Sequence, residues 1–456
     1  MGQAALGTLM AEVDDRTPAG IASAINHLIR AGTLAPGDRL PTVRAIAGEL
    51  GVSLTTVSDA WRALADVGAI QPRGRAGTFV RDPHDPMQPP RFIGIGAAPG
   101  SGDVDLSTGT PDARLLPSVR QALTRVMERE GAWTSSYLDD PVIPELESVL
   151  RATWPFRPEG ITVVDGAMDA LSRIVDLMVH LGDRVVMEDP GFPPLIDMLE
   201  RTGAEIVGVP MDEFGMRPDA LAQALLVEPV AVFLQPRAQN PTGTSMSGDR
   251  AFGLAEVLSS SNCLVIEDDH CGDIATGLDV SIGTYLPERT VHIRSYSKSH
   301  GPDLRIAAVG GSAELIEALV ARRMLGPGWT SRLLQAVLVE LLTDQSSISA
   351  VGRARSAYAS RGLALRAGLA GRGVSSTRGD GINTWVEVAD ERAALVSLAA
   401  QGIKVAPGTP FVLEGDGRDH VRVTTGLLHE DDTQQWQRVL DALVHAAQAG
   451  PGSRGI

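Results

Sequence analysis

Only two of the forty basic residues are lysines, Lys298 and Lys404, so chemistry that needs a side-chain primary amine has two candidates. Lys298 lies in Ser295-Tyr296-Ser297-Lys298-Ser299-His300-Gly301-Pro302-Asp303-Leu304-Arg305, directly after a predicted buried strand, among hydroxyls and seven residues before an arginine. An amine at the mouth of a sheet with phosphate-binding groups around it is what a Schiff base to a phosphorylated aldehyde requires. Lys404, in Gln401-Gly402-Ile403-Lys404-Val405, has an ordinary loop-strand setting and reads as a solvated charge.

Other segments point to the same site. Asp165-Gly166-Ala167-Met168 follows a predicted strand and opens a helix, whose free N–H groups and dipole suit a phosphate. Glu188-Asp189-Pro190-Gly191-Phe192 ends another strand with an aromatic able to stack on a flat ring, although Phe192 taken alone reads as core. Gln239-Asn240-Pro241-Thr242-Gly243 is either a plain turn or a device that presents Asn240 to a ring hydroxyl. Glu267-Asp268-Asp269-His270-Cys271 contains metal-ligand residue types, but neighbours on one strand end point in different directions and no second His or Cys cluster completes a shell. No metal site is assigned. A buried Asp facing a pyridine nitrogen would instead keep that nitrogen protonated and the ring a strong electron sink.

The elements that must position these residues are legible as short apolar runs separated by helical stretches. The runs are Ile161 to Val164, Arg184 to Met187, Glu205 to Val209, Val230 to Leu234, Cys263 to Ile266, Val291 to Arg294 and Arg305 to Val309. Such alternation predicts βαβ units around a largely parallel sheet. Before them, Asp82 to Asp103 carries five prolines and four glycines and reads as a linker.

The amino-terminal segment has a different character. Residues 16–81 hold eight arginines against four acidic residues, a net +4, while the remainder carries −20, which together give the net charge of −16. A basic segment of domain size on an acidic chain suggests a local nucleic-acid footprint. Ile21, Ile25, Leu28 and Ile29 recur at helical spacing behind Thr17 and Pro18; Val43 to Leu50 predicts a second helix stopped by Gly51; Ser53 caps a third through Val57, Trp61 and Leu64 to Val67. Gln71 to Val80 predicts a small hairpin, completing a winged helix-turn-helix. The two cysteines provide no disulfide framework, and neither a signal segment nor a membrane span is visible, so a cytoplasmic protein with no membrane partner is expected.

Gly32-Thr33-Leu34-Ala35-Pro36-Gly37-Asp38-Arg39-Leu40-Pro41-Thr42-Val43-Arg44, Leu50-Gly51-Val52-Ser53-Leu54-Thr55-Thr56-Val57 and Gly74-Arg75-Ala76-Gly77-Thr78-Phe79-Val80 resemble the GntR-type winged-helix DNA-binding domain. Ser53, Leu54, Thr55, Thr56 and Ser58 are assigned to base or sugar contact at the start of the recognition helix. Arg44, Arg73 and Arg75 are assigned to phosphates, against the alternative of solvated loop charges and an internal salt bridge. Leu54 departs from the family, where Arg or another polar residue is usual; it can touch a thymine methyl but bonds no base.

Taken in order, Gly-Ala-Met, Asp-Pro-Gly-Phe, Asn-Pro-Thr-Gly, Glu-Asp-Asp-His and Ser-x-Ser-Lys with an arginine seven residues later resemble the fold type I aminotransferases, which depend on pyridoxal 5′-phosphate. The resemblance implies that Lys298 carries the cofactor as a Schiff base. It implies that Ala167, Met168, Ser295, Ser297 and Arg305 hold the phosphate, Phe192 stacks on the ring, Asn240 bonds the ring hydroxyl and Asp268 pairs with the ring nitrogen. Tyr137 would reach the phosphate of a partner subunit, and Arg422 would bind a substrate carboxylate. His270 stands where Tyr is usual; its imidazole can make the same bond to the ring hydroxyl, with a charge expected to vary near neutral pH. Val142 replaces a common glycine in the loop that follows Tyr137.

A GntR-type domain ahead of such a domain resembles the MocR class of transcriptional regulators. The implied architecture is α/β: a winged helix-turn-helix domain at 14–81, a Pro/Gly-rich linker at 82–103, and an aminotransferase-like domain at 104–446 with a mostly parallel central sheet and a smaller α+β subdomain. The implied partners are a double-stranded DNA operator, a second copy in a head-to-tail homodimer, and a small amino compound as effector. The implied role is a regulator responsive to pyridoxal 5′-phosphate; the alternative is an aminotransferase with an appended DNA-binding domain, and some transaminase turnover fits either.

Overall fold

Residues 12–13, 15–66, 69–72, 77–81, 90–96, 104–129, 136–137 and 139–449 are described by the computed structural model. The chain forms two compact units, one of Met1–Pro90 with Val179–Asp183 and Ile196–Ile206, the other of Arg91–Met178, Arg184–Leu195 and Val207–Ile456.

In the first unit, Thr17 accepts the Gly20 N–H at 3.1 Å and, with Pro18, starts helix α1 (Pro18–Arg30). Thr42 caps α2 (Val43–Leu50), which ends at Gly51 with φ 66°, a left-handed conformation that glycine adopts at no steric cost. Ser53 accepts the Thr56 N–H at 3.0 Å and begins α3 (Leu54–Asp66). Ile21, Ile25, Ile46, Leu50, Val57, Trp61 and Leu64 close one core with Ile70 and Val80 of the antiparallel wing, β1 (Ile70–Pro72) and β2 (Thr78–Val80). The expected three helices and hairpin therefore form, with the Arg39–Phe79 bridge extending the wing. Arg73 and Arg75, expected at its tip, lie outside the described residues.

The second unit opens with a departure. Within the stretch read as linker, α4 (Pro90–Gly96) is helical. Proline suits a first helical position, and Arg91 fixes the turn by donating to the carbonyls of Pro410 at 3.1 Å and Val412 at 2.9 Å. Ile95 packs on Trp385, Ala406 and Phe411. Tertiary contact thus overrides glycine content there.

The main sheet has eight strands: β4 (Gly160–Val164), β5 (Arg184–Asp189), β6 (Glu205–Asp212), β7 (Gly215–Met216), β8 (Ala231–Leu234), β9 (Leu264–Asp269), β10 (Thr290–Ser295) and β11 (Ala307–Gly311). Their order is β4-β11-β10-β9-β8-β5-β6-β7. β5, β8, β9 and β10 run parallel, whereas β11 is antiparallel to both neighbours. Strand β11 begins two residues later than its apolar run suggests, because Arg305 adopts φ 50° after the turn Pro302–Leu304. Helices α5 (Val119–Glu128), α6 (Ala167–Met178) and α7 (Arg332–Thr343) belong to this unit. A second sheet, β3 (Val104–Leu106), β12 (Thr384–Val388), β13 (Ile403–Pro407) and β14 (Asp419–Val423), is ordered β12-β14-β13-β3 and packs on Leu365, Leu369, Leu398, Val439 and Leu443. This is the expected smaller α+β part, and it contains Lys404. Among the described residues no helix is long and apolar enough to cross a membrane.

Candidate functional site

Parallel strands present their carboxyl ends at one edge, and ligands of open α/β sheets bind there. Leu234 pairs with Glu267 and Ile293 with Asp268, so Gln235, Asp268 and the Ser295–Lys298 loop follow adjacent strands at that edge. Ala307 pairs with both Ser295 and Val164, which carries the start of α6 to the same row. Sequence-distant segments are thereby gathered in one place.

Lys298 donates to the Gly109 carbonyl. Burial, helped by Arg422 and opposed by Cys271 and Asp268, lowers its pKa to about 8. Asp268 is buried; desolvation raises its carboxyl to about 6, although Gln235 Nε2 donates to Oδ2 at 2.7 Å. Its Oδ1 is buried with no hydrogen-bond partner. His270 corrects the expectation of a variable charge: burial and the nearby Lys298 push it down to about 4, so the imidazole is neutral at physiological pH. Its Nδ1 is also buried without a partner, while Nε2 lies 3.4 Å from Cys271 Sγ.

Arg422 on β14 is 2% exposed. Its Nη1 donates to Asn240 Oδ1 at 3.1 Å, Nη2 donates to the Ser107 carbonyl, and the guanidinium lies 5.1 Å from the Phe411 ring centroid. None of these partners is acidic, Nε is unsatisfied, and desolvation lowers the group to about 10. A buried cation with only neutral partners is costly until an anion arrives. Gly109 has φ 61°, and a Cβ there would sit 3.2 Å from Arg422 Nη1, so glycine leaves room for the guanidinium.

At the start of α6, Ala167 and Met168 occupy the first helical positions, whose N–H groups have no acceptor within the helix. Arg305 Nη2 donates to the Asp165 carbonyl at 2.7 Å and closes over Gly166, where a Cβ would meet it at 2.8 Å. Ser297 N–H donates to Ser295 Oγ at 3.3 Å. Phe192 and Asp268 line one cavity, together with Glu188 and Gln235. Tyr137 stands apart, 78% exposed, with its ring 5.9 Å from Trp329 and its loop held by Arg332, which donates to the carbonyls of Ser136 and Asp140.

Glu188, Gln235, Ser107, Gly109 and Phe411 were not singled out from sequence. Gln235 directly follows an apolar strand five residues before Asn240, the only local hint of its position. Among the described residues, Asp269, Asp279 and His292 are close enough to share a metal ion. Their charges are already matched: Arg237 pairs with Asp269 and lies 3.3 Å from Asp279, Arg294 lies 3.0 Å from Asp279, and His292 lies 2.8 Å from Glu267.

In the first unit, Arg44 and Thr55 are exposed and Leu54 is 51% exposed. Ser58 is half-buried. Ser53 and Thr56 share a 2.8 Å hydroxyl contact within the helix cap, so those two hydroxyls already serve the cap.

The family model for aminotransferase class I and II matches residues 101–439, and that for bacterial regulatory proteins of the gntR family matches residues 18–80. The vitamin B6 salvage pathway transcriptional repressor PtsJ of Salmonella typhimurium is 34% identical over 437 residues, covering 92% of this chain and 96% of its own. The probable rhizopine catabolism regulatory protein MocR of Rhizobium meliloti is 25% identical over 371 residues, covering 73% of each. Among solved structures, the α-aminoadipate aminotransferase LysN from Thermus thermophilus, complexed with N-(5′-phosphopyridoxyl)-L-leucine, superposes with a TM-score of 0.68 at 23% identity, covering 78% of this chain and 97% of that one. With a gntR-type domain in front of an aminotransferase fold, and regulators of that same layout as relatives, the chain belongs to the aminotransferase class I and II family and, within it, to the MocR class of DNA-binding transcriptional regulators.

Proposed function

We propose that this regulator holds pyridoxal 5′-phosphate at Lys298, receives the carboxylate of a small amino compound at Arg422, and changes its grip on a DNA operator accordingly. The observation that carries the reading is the set of unsatisfied groups gathered around Lys298: Asp268 Oδ1, His270 Nδ1 and Arg422 Nε are buried without partners among the described residues, beside a lysine whose proton is held loosely. That donor set fits the cofactor. When bound, the cofactor supplies an aldehyde that condenses with an amine, releasing one water, and an electron-accepting ring.

The chain's own residues do the rest. Lys298 presents its amine, neutral above about pH 8. Asp268 holds a proton on the ring nitrogen, Asn240 and the neutral His270 bond the ring hydroxyl, and Phe192 covers a ring face. Ala167, Met168, Ser295, Ser297 and Arg305 receive the phosphate. Phe411 links the site to the chain leading from the DNA-binding domain, since it lies against Arg422 and packs on Ile95 of α4. The fold of LysN, solved with a phosphopyridoxyl compound, and the vitamin B6 connection in the name of PtsJ support this reading.

A head-to-tail homodimer belongs to the proposal: Tyr137 projects from its loop, and Val119, Leu123 and Met127 form an exposed apolar stripe on α5. A cytoplasmic location follows from action on DNA. Arg44, Arg73, Arg75 and the start of α3 are the proposed DNA contacts. Purified protein should gain a visible absorption band with pyridoxal 5′-phosphate, absent in Lys298→Ala, and operator affinity should differ between the cofactor-free and the cofactor-loaded protein. A second reading, amino-group transfer between an amino donor and a keto acid, is favoured by the presence of Lys298, Asp268 and Arg422 together, and steady turnover would establish it.

A further inference from the structure

One buried amide joins the groups that address two edges of the cofactor ring. Gln235, 7% exposed, donates from Nε2 to Asp268 Oδ2 at 2.7 Å. Its Oε1 accepts the Asn240 backbone N–H at 2.8 Å, and its own N–H donates to Glu188 Oε2 at 3.0 Å. A carboxylate only accepts and a backbone N–H only donates, so these partners determine which end of the amide carries nitrogen. With Oδ2 engaged, Oδ1 is the Asp268 oxygen without a partner. Asn240 Oδ1 is in turn engaged by Arg422 Nη1 at 3.1 Å, which leaves the Asn240 NH2 as the donor for a ligand. A continuous path of hydrogen bonds thus runs Arg422, Asn240, Gln235, Asp268.

We propose that Gln235 is a positioning residue for the cofactor, holding Asp268 with Oδ1 open to the ring nitrogen and Asn240 with its NH2 open to the ring hydroxyl, so that both contacts form or fail together. This rests on the cofactor reading above. The charged or titratable groups around Asp268 are Asp269, His292, Lys298 and Glu188. Burial raises Glu188 to about 8, so it is mostly protonated near neutral pH and adds little second negative charge there. Gln235→Glu would place an acid where Asp268 now finds a donor. Gln235→Met removes the amide while keeping the side-chain length.

Full-length wild type, Gln235→Glu, Gln235→Met and Asp268→Asn are titrated with pyridoxal 5′-phosphate, and the absorbance of the bound cofactor is followed against pH. Both Gln235 variants are expected to bind the cofactor about tenfold more weakly or worse, and to move the pH midpoint of the absorbance in the direction Asp268→Asn moves it. If Gln235→Glu fails to fold, Gln235→Met carries the test. Wild-type affinity and midpoint in a folded Gln235→Met protein would overturn the proposal, as would weaker binding with an unmoved midpoint. Wild type that binds no cofactor would overturn the cofactor reading as well, whereas Lys298-dependent binding indifferent to Gln235 would overturn this inference alone.

Discussion

Arg422 is a charge kept out of water, and among the described residues no acid answers it. Its neighbours, Asn240 Oδ1, the Ser107 carbonyl and the Phe411 ring, solvate the guanidinium only in part. A buried cation without an acid partner carries a desolvation cost that an apolar side chain of similar volume does not. Arg422→Met is therefore expected to melt at or above the wild-type temperature without ligand, and to lose every response to carboxylate effectors; calorimetry beside an operator-binding assay checks both. Lys298 makes a pH prediction. Its folded-state pKa of about 8 lies below the ordinary lysine value, so the neutral amine dominates above about pH 8. Cofactor capture should accelerate about tenfold per pH unit up to that point and then level off, as stopped-flow absorbance would record. The stability of the cofactor-free protein should rise with pH above about 8 until the ordinary lysine value is reached, because in that window the unfolded chain still holds a proton that the folded state has released.

At the scale of elements, α3 presents an apolar residue, Leu54, where a DNA reader usually presents a polar one. Leu54→Arg should add a contact to phosphate or base, steepening the salt dependence of DNA binding by about one unit per contact in a log-log plot. Ile21 is fully buried where α1 meets α3, and Ile21→Ala should cost about 2–5 kcal/mol, abolishing operator binding while sparing cofactor uptake. Such elements were legible because their signals are local. Thr17 and Ser53 cap the helices their types and positions predict, and the seven apolar runs of the large domain all became strands. What escaped was set by distant neighbours. The helix Pro90–Gly96 exists because Arg91 finds carbonyls more than three hundred residues away. Gln235 acquires its role only when β8 and β9 pair, and the neutrality of His270 depends on burial beside Lys298, which no local pattern encodes. The residues proposed to hold the phosphate stand out in the sequence as an ordered series of motifs. The row Val164, Ala307, Ser295 that assembles them is a property of the sheet.

Across the whole molecule, the net charge of −16 conceals a division of labour between a basic segment of +4 and an acidic remainder of −20. An acidic part of that size repels DNA, which weakens non-specific binding; in the proposed homodimer, recognition would then fall to sites that two DNA-binding domains engage together. A ligand shifts such a protein only by binding its arrangements unequally, so the proposed cofactor and effector would have to meet different contacts in each. Coupling is reciprocal: if the loaded site strengthens operator binding, the operator must strengthen cofactor binding by the same factor. The most direct test is the affinity of full-length wild type and Lys298→Ala for a selected operator, each measured with and without pyridoxal 5′-phosphate at fixed salt. A cofactor-dependent change in the wild type that vanishes in Lys298→Ala is the predicted result. Equal affinities in all four conditions would contradict the account.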